Sequence, residues 1–234
     1  MCILQKNCQK APPKKPEGTE KQKKLLECSE GTIDSLNHLI NNINQQQHPE
    51  LKNNLQNLKT LIENSRNQMK NKIAQGVSAT GVQGQLYGQT AEGIVALKLS
   101  SGTTPLQNEA LHKAGIKVKD ELTGKDRVEI DFMTGFTISG IPNNVNYIER
   151  IFTMGEIKTG SQKKYKENAA NKFSYANEKN ADRFIYLLDT NRIDQELKND
   201  LKIIATNSGF NKFNPDRDII KLREFVPEIK ACEQ

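Results

Sequence analysis

The chain has 234 residues, 35% of them hydrophobic, with a mean hydropathy of −0.70 and a formal net charge of +6. That size allows one large domain or two small ones around a modest core, and no apolar run approaches the ~20 residues that a membrane-spanning helix needs. The basic excess suits acidic partners, whether nucleic acid, anionic lipid or an acidic protein, but residues 1–75 hold 12 Lys and Arg against 7 Asp and Glu while residues 76–234 are nearly balanced, 22 against 21.

The N-terminus, MCILQKNCQKAPPKKPEG, has a tiny apolar stretch followed by a Pro- and Lys-rich linker at 9–18, so it is not a secretory signal. The chain is expected to be cytosolic or to travel within a longer exported protein. Four cysteines, Cys2, Cys8, Cys28 and Cys232, lack the CxxC spacing of a zinc or redox site. Free thiols are the plain expectation; a bond from Cys2 or Cys8 to Cys28 is the alternative in an oxidising compartment. From Thr19 onward, Leu25, Leu26, Ile33, Leu36, Leu39, Ile40 and Ile43 recur at helical spacing, with Gly31 a candidate break. Leu51, Leu55, Leu58, Leu61 and Ile62 form one face of a second helix, and the polar tract ending at Pro49 makes the pair a hairpin. Its other faces are Asn, Gln and Lys, which suits a binding or delivery module at 1–75.

The Gly- and Ser-rich run QGVSATGVQGQ, residues 75–85, is the expected boundary with a second unit, 76–234. A helix over 85–99 carries Glu92. Strands are expected at 116–119 and 127–134, joined by a turn at 122–126. In the second of these, Val128, Ile130 and Phe132 alternate with Glu129, Asp131 and Met133, the period of a half-buried strand. A loop at 139–144 precedes a strand over 147–154 that runs into GEIKTG, Gly155 to Gly160. A helix over 161–181 follows, then an apolar strand over 183–188, a short helix over 191–200, a strand over 202–206 and a last helix over 219–225. The order α, β, β, β, α, β describes a mixed α/β (α+β) domain with a small sheet between helices.

Glu156 and Lys158 stand two apart on a strand, so they share a face. As an exposed ion pair they would be worth only ~0–1 kcal/mol. With Asp131 on the strand before and Glu92 on the helix ahead, they become a constellation. Carboxylates held within a few ångströms repel, and one of them must take a proton. A divalent cation, Mg²⁺ or another such as Mn²⁺ or Zn²⁺, removes the conflict and leaves positions for a phosphate. Glu92, Asp131, Glu156 and the backbone carbonyl of Ile157 are the expected ligands. Lys158 would orient or deprotonate a water, or hold a non-bridging oxygen. Thr159, Gln162, Lys163 and Lys164 are the expected substrate contacts. Lys166 and Lys172, further along that helix, are either solvated cations or contacts to a nucleic-acid backbone. Glu129 is a rival ligand, and His38, His48 and His112 are too scattered for a His-based centre.

Glu92, Asp131, Glu156 and Lys158 in this element order resemble the PD-(D/E)xK nuclease superfamily. The resemblance implies a restriction-endonuclease-like αβββαβ core, preceded here by a small helical module. The run KAGIKVKDELTGKDRVEIDFMTG, with GEIKTG and the Lys-rich segment after it, is similar to the nuclease tips of bacterial contact-dependent growth-inhibition and related polymorphic toxins. That similarity spans about residues 85–206. It implies a nuclease toxin cleaving transfer RNA or DNA, exported within a larger protein and delivered to a target-cell cytoplasm. It also implies a cognate immunity protein and an inner-membrane receptor for the N-terminal module. The competing expectations are a restriction-like nuclease and a non-catalytic protein that binds an acidic partner.

Overall fold

A computed structural model of the chain describes residues 17–44, 49–100, 113–119, 126–134, 152–160 and 164–232. Helix α1 (Glu20–Asn42) starts at a capping box, in which the Thr19 hydroxyl accepts the Gln22 N–H and the Gln22 side chain accepts the Thr19 N–H. Gly31 does not interrupt it. Leu25, Ser29, Ile33, Leu36 and Ile40 form its buried stripe. Helix α2 (Pro49–Ala74) answers with Leu55, Leu58, Ile62 and Met69, while Leu61, expected on that face, is 49% exposed. Arg66 ties the two helices, with Nη2 2.6 Å from Glu30 Oε1 and Nε donating to the Leu26 carbonyl.

Helix α3 (Thr80–Ser100) begins five residues before the expected 85. It lies across the hairpin, and Gly93 is the point of closest approach: a Cβ there would sit 2.7 Å from Thr32 Cγ2 and 2.9 Å from Ile62 Cδ1. The run 75–85, expected as a boundary, is thus a short link at 75–79 followed by the first turns of α3, and one hydrophobic core spans it. Leu36, Leu55, Ile62, Leu86 and Val95 share that core with Phe132, Ile157, Ile185 and Leu187 of the sheet.

Among the described residues the sheet has five strands in the order β1 (Lys113–Lys119), β2 (Asp126–Thr134), β3 (Thr153–Lys158), β4 (Arg183–Leu188) and β5 (Ile219–Lys221). The first three pair antiparallel, and β3, β4 and β5 run parallel. Strand β4 is buried on both faces, as a parallel strand between two helical layers must be. Ile185 and Leu187 meet the α1–α3 layer. Phe184, Tyr186 and Leu188 meet α4 (Ala169–Glu178) and α5 (Gln195–Asn207), together with Phe173, Phe210 and Phe213. The molecule is mixed α+β and mostly helical, and from α3 to β4 its elements run α, β, β, β, α, β.

Several expected elements differ. The helix expected over 161–181 is only α4, since residues 165–168 form turns that end in Asn168 at φ 58°. The apolar run at 202–206 is not a strand but part of α5. Its β-branched content suggests extension, yet Leu197, Leu201 and Ala205 are buried at helical spacing and Ile203 is 57% exposed. Asp194 caps that helix by accepting the Leu197 N–H at 2.8 Å, so the helix starts later than expected. The helix expected over 219–225 is divided: Ile219 pairs with Tyr186 as β5, and only α6 (Leu222–Phe225) is helical. Just ahead of β5, the buried Asp218 accepts from Arg183 Nε at 3.0 Å and Nη2 at 2.8 Å, pinning the strand to its neighbour. Cys28 and Cys232 form a disulfide, which replaces both the free-thiol expectation for this pair and a bond from Cys28 to Cys2 or Cys8. Cys2, Cys8 and residues 135–151 lie outside the described residues. No described helix is long and apolar enough to cross a membrane.

Candidate active site

Strands β2 and β3 are paired from Thr134↔Thr153 to Phe132↔Gly155. One step on, Asp131 and Glu156 oppose each other where the described pairing ends. Gly155 is required there, because a Cβ would fall 1.9 Å from Cζ of the Phe132 ring. Beyond this point the Asp131 carboxylate does what a strand backbone would otherwise do, accepting the Ile157 N–H at 2.7 Å. The N–H and C=O of one strand residue point to the same edge, so the Ile157 carbonyl also faces β2. The Lys158 carbonyl, with opposite parity, accepts the Asp189 N–H on the β4 side. Burial along β2 is shared rather than one-sided: Phe132 joins the α1–α3 core, whereas Val128 and Ile130 join the α4–α5 core.

The predicted Glu92, Asp131, Glu156, Ile157 and Lys158 all line one open cavity of about 510 Å³, together with Glu129, Asn168, Asn171 and Lys172. Four elements supply the charges: α3, β2, β3 and α4. Glu156 is 2% exposed and lies between two ammonium groups. Lys158 Nζ is 2.5 Å from its Oε1, and Lys172 Nζ pairs with its Oε2. Burial, reinforced by Glu129 and Glu156, pushes the Glu92 carboxyl up to about 7. Burial and then the charges of Glu156 and Glu92 hold Asp131 well above the usual carboxylate range. Lys158 is raised: burial opposes its charge, but Glu156 and Asp131 outweigh that. Tyr186, the β4 neighbour of Glu156, is fully buried, and its hydroxyl has no hydrogen-bond partner among the described residues. Burial and the same two carboxylates push it well above its ordinary value. Among the described residues no three His, Cys, Asp or Glu side chains are already set as a metal cage.

The predicted substrate contacts fare differently. Thr159 points away from the carboxylates: a Cβ on Gly88 would lie 3.1 Å from its hydroxyl, and it lines a separate cavity of about 380 Å³ with Lys21, Tyr87 and Arg223. Lys164 is exposed and does not line the carboxylate cavity. Gln162 and Lys163 lie outside the described residues. Lys166 is held by Asp200, its Nζ donating to Oδ2 at 2.6 Å. Lys172 is not a solvated cation, since it is 4% exposed inside the cavity. Its spacing held the signal: with Ala169, Phe173 and Ala176 it falls at i+3 of an i, i+4, i+7 stripe, the buried face of α4. Of the histidines, His38 is exposed, and His48 and His112 lie outside the described residues. With this geometry in place, the chain stands without a match: no protein-family model, no curated protein and no solved structure matches it.

Proposed function

We propose that the chain is a divalent-metal-dependent nuclease with a PD-(D/E)xK-type centre. The observation that carries this reading is the convergence of Glu92, Asp131 and Glu156, from three separate elements, on one solvent-connected cavity with Lys158. Sites built for a cation or for acid–base chemistry gather acidic groups in a cleft so that a neighbour's charge raises a carboxyl's pKa, as Glu156 does here for Glu92 and Asp131. The donor set fits a hard cation. Glu92, Asp131, Glu156 and the Ile157 carbonyl are all oxygen donors, the class that Mg²⁺ or Mn²⁺ prefers, and among the described residues no sulfur or imidazole lines the cavity to favour Zn²⁺.

When bound, such a cation would polarise a phosphodiester and acidify a coordinated water. The chain's own groups have separable tasks. Asp131, fixed by the Ile157 N–H, holds its orientation. Lys158, kept charged by Glu156 and Asp131, acts as a point charge on a non-bridging phosphate oxygen rather than as a base. A water oxygen forms a new bond to phosphorus and gives up one proton to solvent, one P–O bond of the substrate breaks, and the departing oxygen takes up one proton from solvent. The toxin setting, with transfer RNA ahead of DNA as substrate, an immunity protein, a receptor and delivery from a larger exported protein, rests on the resemblance over about residues 85–206. In that setting α1 and α2 support the site through α3 as well as any part they have in delivery.

The test is incubation with transfer RNA and with plasmid DNA, in Mg²⁺ or in chelator, for the wild type, Asp131→Ala and Lys158→Ala. Cleavage that needs the metal and is lost in both variants is expected. Cleavage indifferent to both substitutions, or none on either substrate, would overturn the assignment.

A further inference from the structure

We propose that Lys172 is an internal stand-in for the divalent cation: in the metal-free protein its ammonium holds Glu156 Oε2, and it passes to the substrate phosphate when a metal ion takes that oxygen. This rests on the metal-dependent reading above and adds the regulation of that site. Glu156 has both oxygens engaged, Lys158 on Oε1 and Lys172 on Oε2. One ammonium would balance Glu156, so the second charge answers the neighbouring Asp131 and Glu92, whose carboxyls both feel Lys172. With every group ionised, Glu92, Glu129, Asp131 and Glu156 against Lys158 and Lys172 leave the cavity two net negative charges. A divalent cation cancels them, so the ammonium on Glu156 is no longer needed there and can meet a phosphodiester.

Position separates Lys172 from Lys158. Lys158 lies two residues from Glu156 on the same strand, so the two side chains share a face and their pairing is local. Lys172 reaches in from α4, beside Ala169, Phe173 and Ala176, which anchor the helix in the core. Its four-carbon stem can re-aim the ammonium while α4 stays fixed. The cavity lined by Lys172, Asn168 and Asn171 offers the space into which it would turn. A lysine seated on a metal ligand competes with the ion by charge and by occupancy, so it sets the cation concentration at which the site loads.

Calorimetric titration of the full chain with Mn²⁺ tests this, comparing wild type, Lys172→Met and Lys172→Arg. Removing one ammonium at contact distance should tighten Mn²⁺ binding by about tenfold, while Lys172→Arg, which keeps the charge, should not. A wild type that takes up no Mn²⁺ would overturn the metal-dependent reading itself. A wild type that binds, with Lys172→Met binding equally or more weakly, would overturn the role of Lys172 alone. Should Lys172→Met fail to fold, the wild type labelled with [¹³Cε]lysine answers the same question. Saturating Mg²⁺ should shift the Lys172 resonance, identified by its loss in Lys172→Arg, and an unmoved resonance would refute the exchange.

Discussion

Two glycines on one helix should respond to the same substitution with opposite signs. Gly84 and Gly93 both lie within α3. Replacing glycine by alanine inside a helix is favourable by ~1 kcal/mol through backbone entropy alone. At Gly84 a Cβ meets nothing within 4 Å among the described residues, so that gain should be realised in full. At Gly93 the added carbon would lie 2.7 Å from Thr32 Cγ2 and 2.9 Å from Ile62 Cδ1, and both partners are buried. Ile62 Cδ1 is the end of a side chain and can yield a little. Thr32 is β-branched, and its hydroxyl is already donating to the Cys28 carbonyl at 3.0 Å, so its rotamer is held. Overpacking of this kind costs ~1–3 kcal/mol. Gly93→Ala should therefore end about 1 kcal/mol less stable than the wild type and Gly84→Ala about 1 kcal/mol more stable. For a chain of this size the two melting temperatures should differ by roughly 4–8 °C. The assay is thermal and urea denaturation of both variants in the full chain. If Gly93→Ala stabilises as much as Gly84→Ala, then α1 and α2 do not pack on α3, and the shared core is wrong.

Two further outcomes can be measured. Because burial lifts the Glu92 carboxyl from 4.5 to about 7, the folded chain keeps a proton that the unfolded chain has released, so metal-free stability should fall as pH rises through that window. At 1.36 kcal/mol per pKa step the loss is about 3 kcal/mol. Glu92→Gln should flatten the fall of urea midpoints in chelator, and a variant as steep as the wild type would contradict the burial of that charge. Reduction of Cys28–Cys232, which closes a loop spanning 204 positions, should cost about 2–4 kcal/mol. Melting with and without reductant reads this directly, and coincident curves would show that the bond constrains nothing.

The site was more legible in the sequence than its surroundings were. Glu92, Asp131, Glu156 and Lys158 could be chosen from residue type, strand parity and element order, and they meet in one cavity. Thr159 could not be judged from adjacency to Lys158, because on a strand the next residue faces the opposite layer. The run at 202–206 misled because Ile203 and Ile204 favour extension locally, while burial of Leu197, Leu201 and Ala205 against the sheet favours a helix. Local preference is worth tenths of a kcal/mol per residue, and burying one leucine is worth ~1.5–3 kcal/mol, so packing wins.

By itself the sequence determined which segments could bury a face and which side chains could carry charge, since hydrophobic period and residue chemistry are local properties. Tertiary structure alone decided that the first two helices share a core with the third, that Cys28 finds Cys232, and that Glu156 is the group the inward-facing Lys172 meets. Each of these depends on groups far apart along the chain competing for the same space. A charge is held inside only when folding delivers its counter-charge to the same place.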